Sequence, residues 1–168
     1  LYNKWHSEQQ SRLGTFGIEA SGGYTADKGV LRRATLSYGY LTTSRLKDIK
    51  TSSVFDYMQH KLSAAIEIRP VKELSFALTG TLYDRYGSYN AYLRDAKGNL
   101  LYDADGRMQT EARDFKPYFL LDARIRYEIG AVAIHLDLAN ITDTRYCDFG
   151  GLRRPGFWLT GGVTFTIK

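Results

Sequence analysis

Two side chains that could transfer a proton, His135 and Asp137, stand two positions apart. Alternate residues of a strand share one face at a spacing of about 6.5 to 7 Å. The sequence has no nucleophile motif of the GxSxG type, whereas nucleophilic catalysis needs a nucleophile within hydrogen-bond reach of its base. The pair is therefore interpreted as two charges on one surface, and the sequence predicts no enzyme.

A second candidate is Asp103-Ala-Asp-Gly, which resembles the beginning of a calcium-binding loop. The further ligand position and the closing glutamate of such a loop are missing. Asp95-Ala-Lys-Gly precedes it by eight residues, and both segments are typical of turns. We expect two turns of a hairpin that projects from the longest loop, with bound calcium as the alternative.

A single cysteine, Cys147, excludes an internal disulfide and a thiolate zinc site. The sequence accordingly predicts no metal site and no cofactor. The chain of 168 residues carries 23 Lys and Arg against 18 Asp and Glu, a net charge of +5. Residues 86–116 hold five basic and five acidic side chains, so no contiguous basic patch forms there and nucleic acid is not expected as a partner.

Alternation of apolar and polar residues is the dominant pattern, and it recurs in seven segments. In the last segment Leu159, Val163 and Phe165 alternate with Thr160 and Thr164. A period of two predicts strands. No apolar run approaches the roughly 18 residues of a membrane-spanning helix. The chain is therefore expected to be all-β.

The connections between these segments alternate between long and short. Residues 1–13, 44–58, 86–117 and 140–156 form the long ones, and residues 25–29, 70–73 and 129–131 the short ones. The three prolines, Pro70, Pro117 and Pro155, are predicted to lie between strands. Consecutive antiparallel strands would bring all long connections to one end. Outer-membrane β-barrels have this arrangement, and a soluble up-and-down barrel could share it.

The polar face of the predicted strands decides between these two barrels. Charged or titratable side chains recur along it, Glu128 among them, and nine are predicted to face the lumen: Glu19, Arg33, Glu67, Arg69, Asp122, Arg124, Arg126, His135 and Asp137. Each would cost several kcal/mol if buried without a partner. A membrane barrel turns its apolar face to lipid and its polar face to a wet lumen. The sequence therefore favours an antiparallel transmembrane β-barrel with these nine side chains in the lumen.

Seven strands do not make a complete barrel, because single-chain bacterial barrels have even strand numbers from eight upward. Either an eighth strand lies within residues 1–11, or the chain is the C-terminal part of a larger protein. We favour the second interpretation.

The end of the chain supports it. Leu136-Asp-Leu-Ala-Asn-Ile-Thr-Asp-Thr-Arg-Tyr, Phe149-Gly-Gly, Arg154-Pro-Gly-Phe-Trp and a last alternating segment resemble the C-terminus of TonB-dependent outer-membrane receptors. In that family an N-L-x-D-x-x-Y segment follows the penultimate strand, and a glycine-containing loop and a Pro-Gly pair come next. The matching residues are Asn140, Ile141, Asp143, Tyr146, Gly150, Gly151, Pro155 and Gly156.

A strand start upstream is also similar to the family's A-R-x-x-G-V-E segment, through Arg12, Gly17, Ile18 and Glu19. Two positions depart from the family pattern. Phe157 follows Pro-Gly where the family commonly has arginine, and the chain ends in Ile167-Lys168 where the family has an aromatic residue.

The resemblance implies about the last seven strands of a 22-stranded barrel with a plug domain in its lumen, in the bacterial outer membrane. Residues 1–168 would all belong to this barrel domain, with the nine polar-face residues toward the plug. The implied function is TonB-dependent import of a scarce bulky nutrient, such as cobalamin, haem or an iron-siderophore. The implied partners are the TonB complex through a preceding N-terminal part, the lipid bilayer, the remaining strands and plug, and, as a further candidate, a surface lipoprotein.

Five loop side chains are predicted to contact the substrate: Tyr89, Tyr92, Tyr102, Phe149 and Arg153. They offer stacking faces and a cation to a bulky anionic or ring-shaped nutrient. The alternative is that these aromatic rings only pack the loops together. Two rival functions also stay open: a small self-contained outer-membrane barrel acting as an enzyme or adhesin, and a soluble lipocalin-like binding module.

Overall fold

A computed structural model of the chain describes residues 14–44, 57–148 and 152–167. These residues form strands and no helix, which confirms the all-β prediction. The strands are β1 (Gly14–Thr25), β2 (Leu31–Ser44), β3 (Tyr57–Val71), β4 (Leu74–Tyr86), β5 (Ser88–Tyr92), β6 (Thr110–Asp114), β7 (Tyr118–Ile129), β8 (Val132–Ala139), β9 (Cys147–Asp148), β10 (Leu152–Arg153) and β11 (Trp158–Phe165). Within the described ranges, no helix is long and apolar enough to cross a membrane.

Seven of these strands form one sheet in the order β1-β2-β3-β4-β7-β8-β11. Every neighbouring pair is antiparallel. They are the seven strands that the alternating pattern predicts, and they follow one another in chain order. The sheet is open, because β1 and β11 are its two edges. An eighth strand within residues 1–11 would lie outside the described residues.

The register brings the apolar positions of all seven strands onto one face. One cross-strand row consists of Tyr24, Ala34, Ile66, Leu78, Ala123, Leu138 and Leu159. The adjacent row, on the opposite face, consists of Thr25, Arg33, Glu67, Ala77, Arg124, Asp137 and Thr160. A slip of one residue in any strand would exchange its two faces. The consistent register therefore separates an apolar face from a charged face across the whole sheet.

The apolar face is the more exposed of the two. Leu78 on the central strand is 38% exposed, and Phe165 on the edge strand is 70% exposed. The sheet residues that are buried, Thr81 and Ala133, lie on the charged face instead. A soluble antiparallel sheet normally buries its apolar face and solvates the polar one. This sheet has the reverse arrangement.

Pro70 corrects one expectation, because it lies inside β3 rather than between strands. The pairing of β3 with β4 shifts register between Ile68 and Val71, around this proline. A bulge leaves residues out of the hydrogen-bond ladder, so the missing N–H of proline costs nothing there. Pro117 and Pro155 lie outside strands, as predicted.

The longest loop carries the hairpin of β5 and β6, and two small turns at its tip. Asp95 Oδ1 accepts the N–H groups of Lys97 and Asn99 at 2.8 and 2.9 Å. Asp103 Oδ1 accepts the equivalent N–H groups of Asp105 and Arg107 at 2.9 and 2.8 Å.

This geometry confirms the two predicted turns, but each closes its own small hairpin, through the bridges Arg94–Leu100 and Tyr102–Met108. Gly98 and Gly106 take the positive φ that each turn requires. Oδ1 of Asp103 serves the turn, and the described residues contain no cluster of three or more metal-ligating side chains.

Candidate functional site

A cleft of about 950 Å³ opens at the end of the sheet where the long connections lie. One wall comes from the loop between β4 and β7, and the other from the loop between β8 and β11. Its volume is at the upper end of the range of about 300 to 1,000 Å³ that is typical of small-molecule sites. The cleft is therefore the candidate binding site.

Asn140 anchors the second wall to the sheet. It is buried, with 5% of its surface exposed, and has a left-handed φ of 50°. Its side chain donates to the C=O of Thr144 and accepts the N–H of Thr144, both at 2.9 Å. Its own N–H donates to Asp122 Oδ1 at 2.7 Å. These bonds bend the chain sharply out of β8 and place the next residues beside β7.

Asp143 ties the same turn to the start of β11. Its Oδ1 accepts the N–H of Phe157 at 2.9 Å. This oxygen lies where a side chain at position 156 would begin, so only glycine leaves room for it. The Asn-x-x-Asp segment and the Pro-Gly pair thus act as one device that closes the loop.

Replacing Gly156 by alanine is expected to destabilise this loop, because the new methyl group overlaps Asp143 Oδ1. The carboxylate must move and release the N–H of Phe157, at a cost of about 1–2 kcal/mol. Gly22→Ala is the matched control, because its added Cβ meets no atom within 4 Å. Urea titration of both variants measures the difference, and equal midpoints would show that the overlap is relieved without cost.

Three further contacts hold the walls of the cleft together. Asp148 in β9 forms an ion pair with Arg85 at the end of β4, with 2.6 Å between Oδ1 and Nη2. Arg154 approaches the other oxygen of Asp148 at 3.6 Å, and its N–H donates to the C=O of Tyr146 at 3.1 Å. The β9–β10 pair and the end of β4 are therefore joined at one carboxylate.

Cations outnumber carboxylates around the cleft. Five cationic side chains line it: Arg113, Lys116, Arg145, Arg153 and Arg154. Two carboxylates, Asp114 and Asp143, line it as well. The cleft is therefore electropositive and suited to an anionic ligand.

Aromatic rings form much of the remaining lining. Tyr118 and Tyr146 stack with centroids 4.4 Å apart, and Tyr89 contacts Phe115 with centroids 5.1 Å apart. Burial, and after it the neighbouring thiol of Cys147, raises the pKa of Tyr89 above its ordinary value. Its phenol stays neutral at physiological pH and can donate a hydrogen bond.

The structure divides the five predicted substrate contacts. Tyr89 and Arg153 line the cleft. Tyr92 and Tyr102 do not, and they are 55% and 56% exposed. Tyr92 lies three residues after Tyr89 in β5, on the opposite face of that strand, and Tyr102 lies in the tip of the loop. Phe149 lies outside the described residues. Sequence reasoning missed Lys116, Arg145 and Arg154, although the last two flank the recognised motif residues Tyr146 and Pro155.

The polar-face side chains are brought together as ion pairs. Arg124 holds Asp137 through two hydrogen bonds, from Nε and from Nη2. Glu128 accepts from Arg126 at 2.8 Å and from Arg69 at 3.1 Å.

His135 Nε2 lies 4.0 Å from Asp137 Oδ2, beyond hydrogen-bond distance. Glu19, Arg33, Glu67 and Asp122 lie on the same face. The register thus places these residues on one face of the sheet.

Comparison of the chain with protein-family models, with curated proteins and with solved structures finds no match. The resemblance to TonB-dependent receptors therefore rests on the sequence motifs alone.

Proposed function

We propose that this chain is the C-terminal part of the barrel wall of a TonB-dependent outer-membrane transporter. The complete protein imports a scarce bulky nutrient, with cobalamin, haem and iron-siderophores as the candidate classes. The cleft at the long-loop end faces the cell exterior and contacts the nutrient before it passes inward.

The observation that carries this proposal is the reversed sheet. A continuous apolar face extends over seven strands and is exposed on the central strands as well as at the edges. Soluble monomers rarely expose an apolar patch larger than a few hundred Å². In the hydrocarbon of a bilayer, this apolar face is stable without a second layer of protein packed against it.

The lengths of most strands and the position of the charged side chains also fit a lipid bilayer. Five of the seven strands, β1, β2, β3, β4 and β7, have 12, 14, 15, 13 and 12 residues, which exceeds the approximately 9 to 11 residues needed to cross a bilayer. The strands β8 and β11 have 8 residues each and are shorter than this length. The charged side chains lie on the other face, where partners and water in a lumen solvate them. The open edges β1 and β11 supply the positions at which further strands would complete a barrel.

The experiment uses the full-length protein, produced in the outer membrane of cells with and without TonB. Each candidate nutrient is supplied in labelled form, and its accumulation inside the cells is measured. We expect accumulation of one nutrient that is lost without TonB. Accumulation that is equal in the two strains, or recovery of the protein in buffer without detergent, would contradict the proposal.

A further inference from the structure

The charges of the cleft are incompletely neutralised. Arg113 pairs with Glu111 at 3.0 Å, and Arg154 lies 3.6 Å from Asp148. Lys116, Arg145 and Arg153 form no ion pair with any residue in the described ranges. Unpaired guanidinium groups around a concave site bind carboxylate, phosphate or sulfate groups strongly, because they offer two parallel N–H donors.

Two of the carboxylates of this region, Asp143 and Asp148, have other partners, and Asp114 is the remaining carboxylate that lines the cleft. Asp143 is held by the N–H of Phe157 at 2.9 Å, and Asp148 by Arg85 at 2.6 Å. They are thus fixed in the loop structure and cannot swing toward the three unpaired cations without breaking those bonds. An anion that enters the cleft would supply the missing negative charge.

The aromatic lining adds a shape requirement. Tyr118 stacks between Tyr83 and Tyr146, with ring planes inclined by 23° and 19°, so the outer face of Tyr146 is the flat surface that this stack offers to the cleft. Tyr89 and Phe115 lie on the side of the longest loop. Flat rings of a ligand pack favourably against such surfaces.

From these features we propose that the cleft selects planar ligands that carry two or more anionic groups, and discriminates against neutral ligands of the same size. This inference rests on the proposed function, since it names the substrate class of the same site. It narrows the candidate nutrients to polyanions with a ring system.

The test measures binding to the full-length protein in detergent by fluorescence anisotropy. The probe is 8-hydroxypyrene-1,3,6-trisulfonate, a planar polyanion, and neutral pyrenemethanol is the comparison probe. We expect the trisulfonate to bind more tightly, and its affinity to fall as salt is raised. Arg145→Gln and Arg153→Gln should each weaken it about tenfold, the value of one charge-assisted hydrogen bond.

Arg107→Gln is the matched control, because it removes the same charge from the tip of the longest loop, where the side chain is 71% exposed. It should leave the affinity unchanged. Equal binding of the two probes, or an equal loss in all three variants, would overturn the inference.

The assay contains no TonB, so its outcome is independent of transport. Trisulfonate binding that depends on Arg145 and Arg153, together with uptake that does not need TonB, would refute the transporter and retain the polyanion site. TonB-dependent uptake that survives both substitutions, together with equal binding of the two probes, would retain the transporter and refute the polyanion site.

Discussion

Replacing Leu78 by arginine is expected to prevent stable folding of the protein in a lipid bilayer. Leu78 lies on the central strand of the sheet, between Ile66 and Ala123 on the apolar face. An arginine on the lipid face near the bilayer midplane costs about 2–4 kcal/mol. If the face instead met water, the same substitution at a partly exposed position would change stability by only about 0.5 kcal/mol.

Thr79→Arg provides the control one residue further along the same strand. Its side chain lies on the charged face, directly opposite Asp122, so the new cation gains a carboxylate neighbour. We expect this variant to fold like the wild type. Urea titration of the full-length protein in phosphatidylcholine vesicles measures both, and a tolerated Leu78→Arg with a disrupted Thr79→Arg would reverse the assignment of the two faces.

The second large effect is expected at Asn140, where alanine should destabilise the loop that builds one wall of the cleft. The substitution removes the two hydrogen bonds with Thr144, at about 1 kcal/mol each. The left-handed φ of 50° adds no separate cost, because asparagine also has a Cβ and tolerates this region through the same local hydrogen bonds. The expected loss is about 2 kcal/mol, or roughly a thirtyfold increase in the open form.

Two further variants separate the side-chain bonds from the backbone conformation. Asn140→Gly loses the same side-chain bonds but has no Cβ at the left-handed φ, so it should be less destabilising than alanine. Asn99→Ala removes an exposed bond to Asp95 in the tip of the longest loop and should have little effect. Tryptic cleavage after Arg145 reports opening of the loop, and a cleavage rate unchanged in Asn140→Ala would show that the anchor is not required.

The seven strands of the sheet were predictable because their local pattern agrees with their tertiary environment. Each strand has one apolar and one polar set at period two, and the short connections of the described residues force neighbouring strands to pair in order. Pro70 was placed wrongly because a bulge suspends the hydrogen-bond ladder for a few residues, and nothing in a local pattern announces a bulge. The short strands β9 and β10 were missed because two residues cannot show a period.

The candidate site was only partly predictable, for a different reason. Arg113 and Lys116 belong to a loop whose charges sum to zero, and Arg145, Arg153 and Arg154 are spread over the last loop. Their convergence depends on how Asn140, Asp143 and Gly156 fold that loop back toward β7. Tyr92 and Tyr102 were predicted to contact the substrate with Tyr89, but Tyr92 lies on the opposite face of β5 from Tyr89 and Tyr102 lies in the tip.

The sequence by itself determined that this protein is a β-sheet with one apolar and one charged face, because alternation is a local property that each strand carries alone. Only the tertiary structure decided which face is exposed, which charges pair, and which cations meet in the cleft. Those outcomes depend on register and loop closure, which join residues tens of positions apart. Arg69 and Glu128, for example, form an ion pair although they are 59 positions apart in the chain.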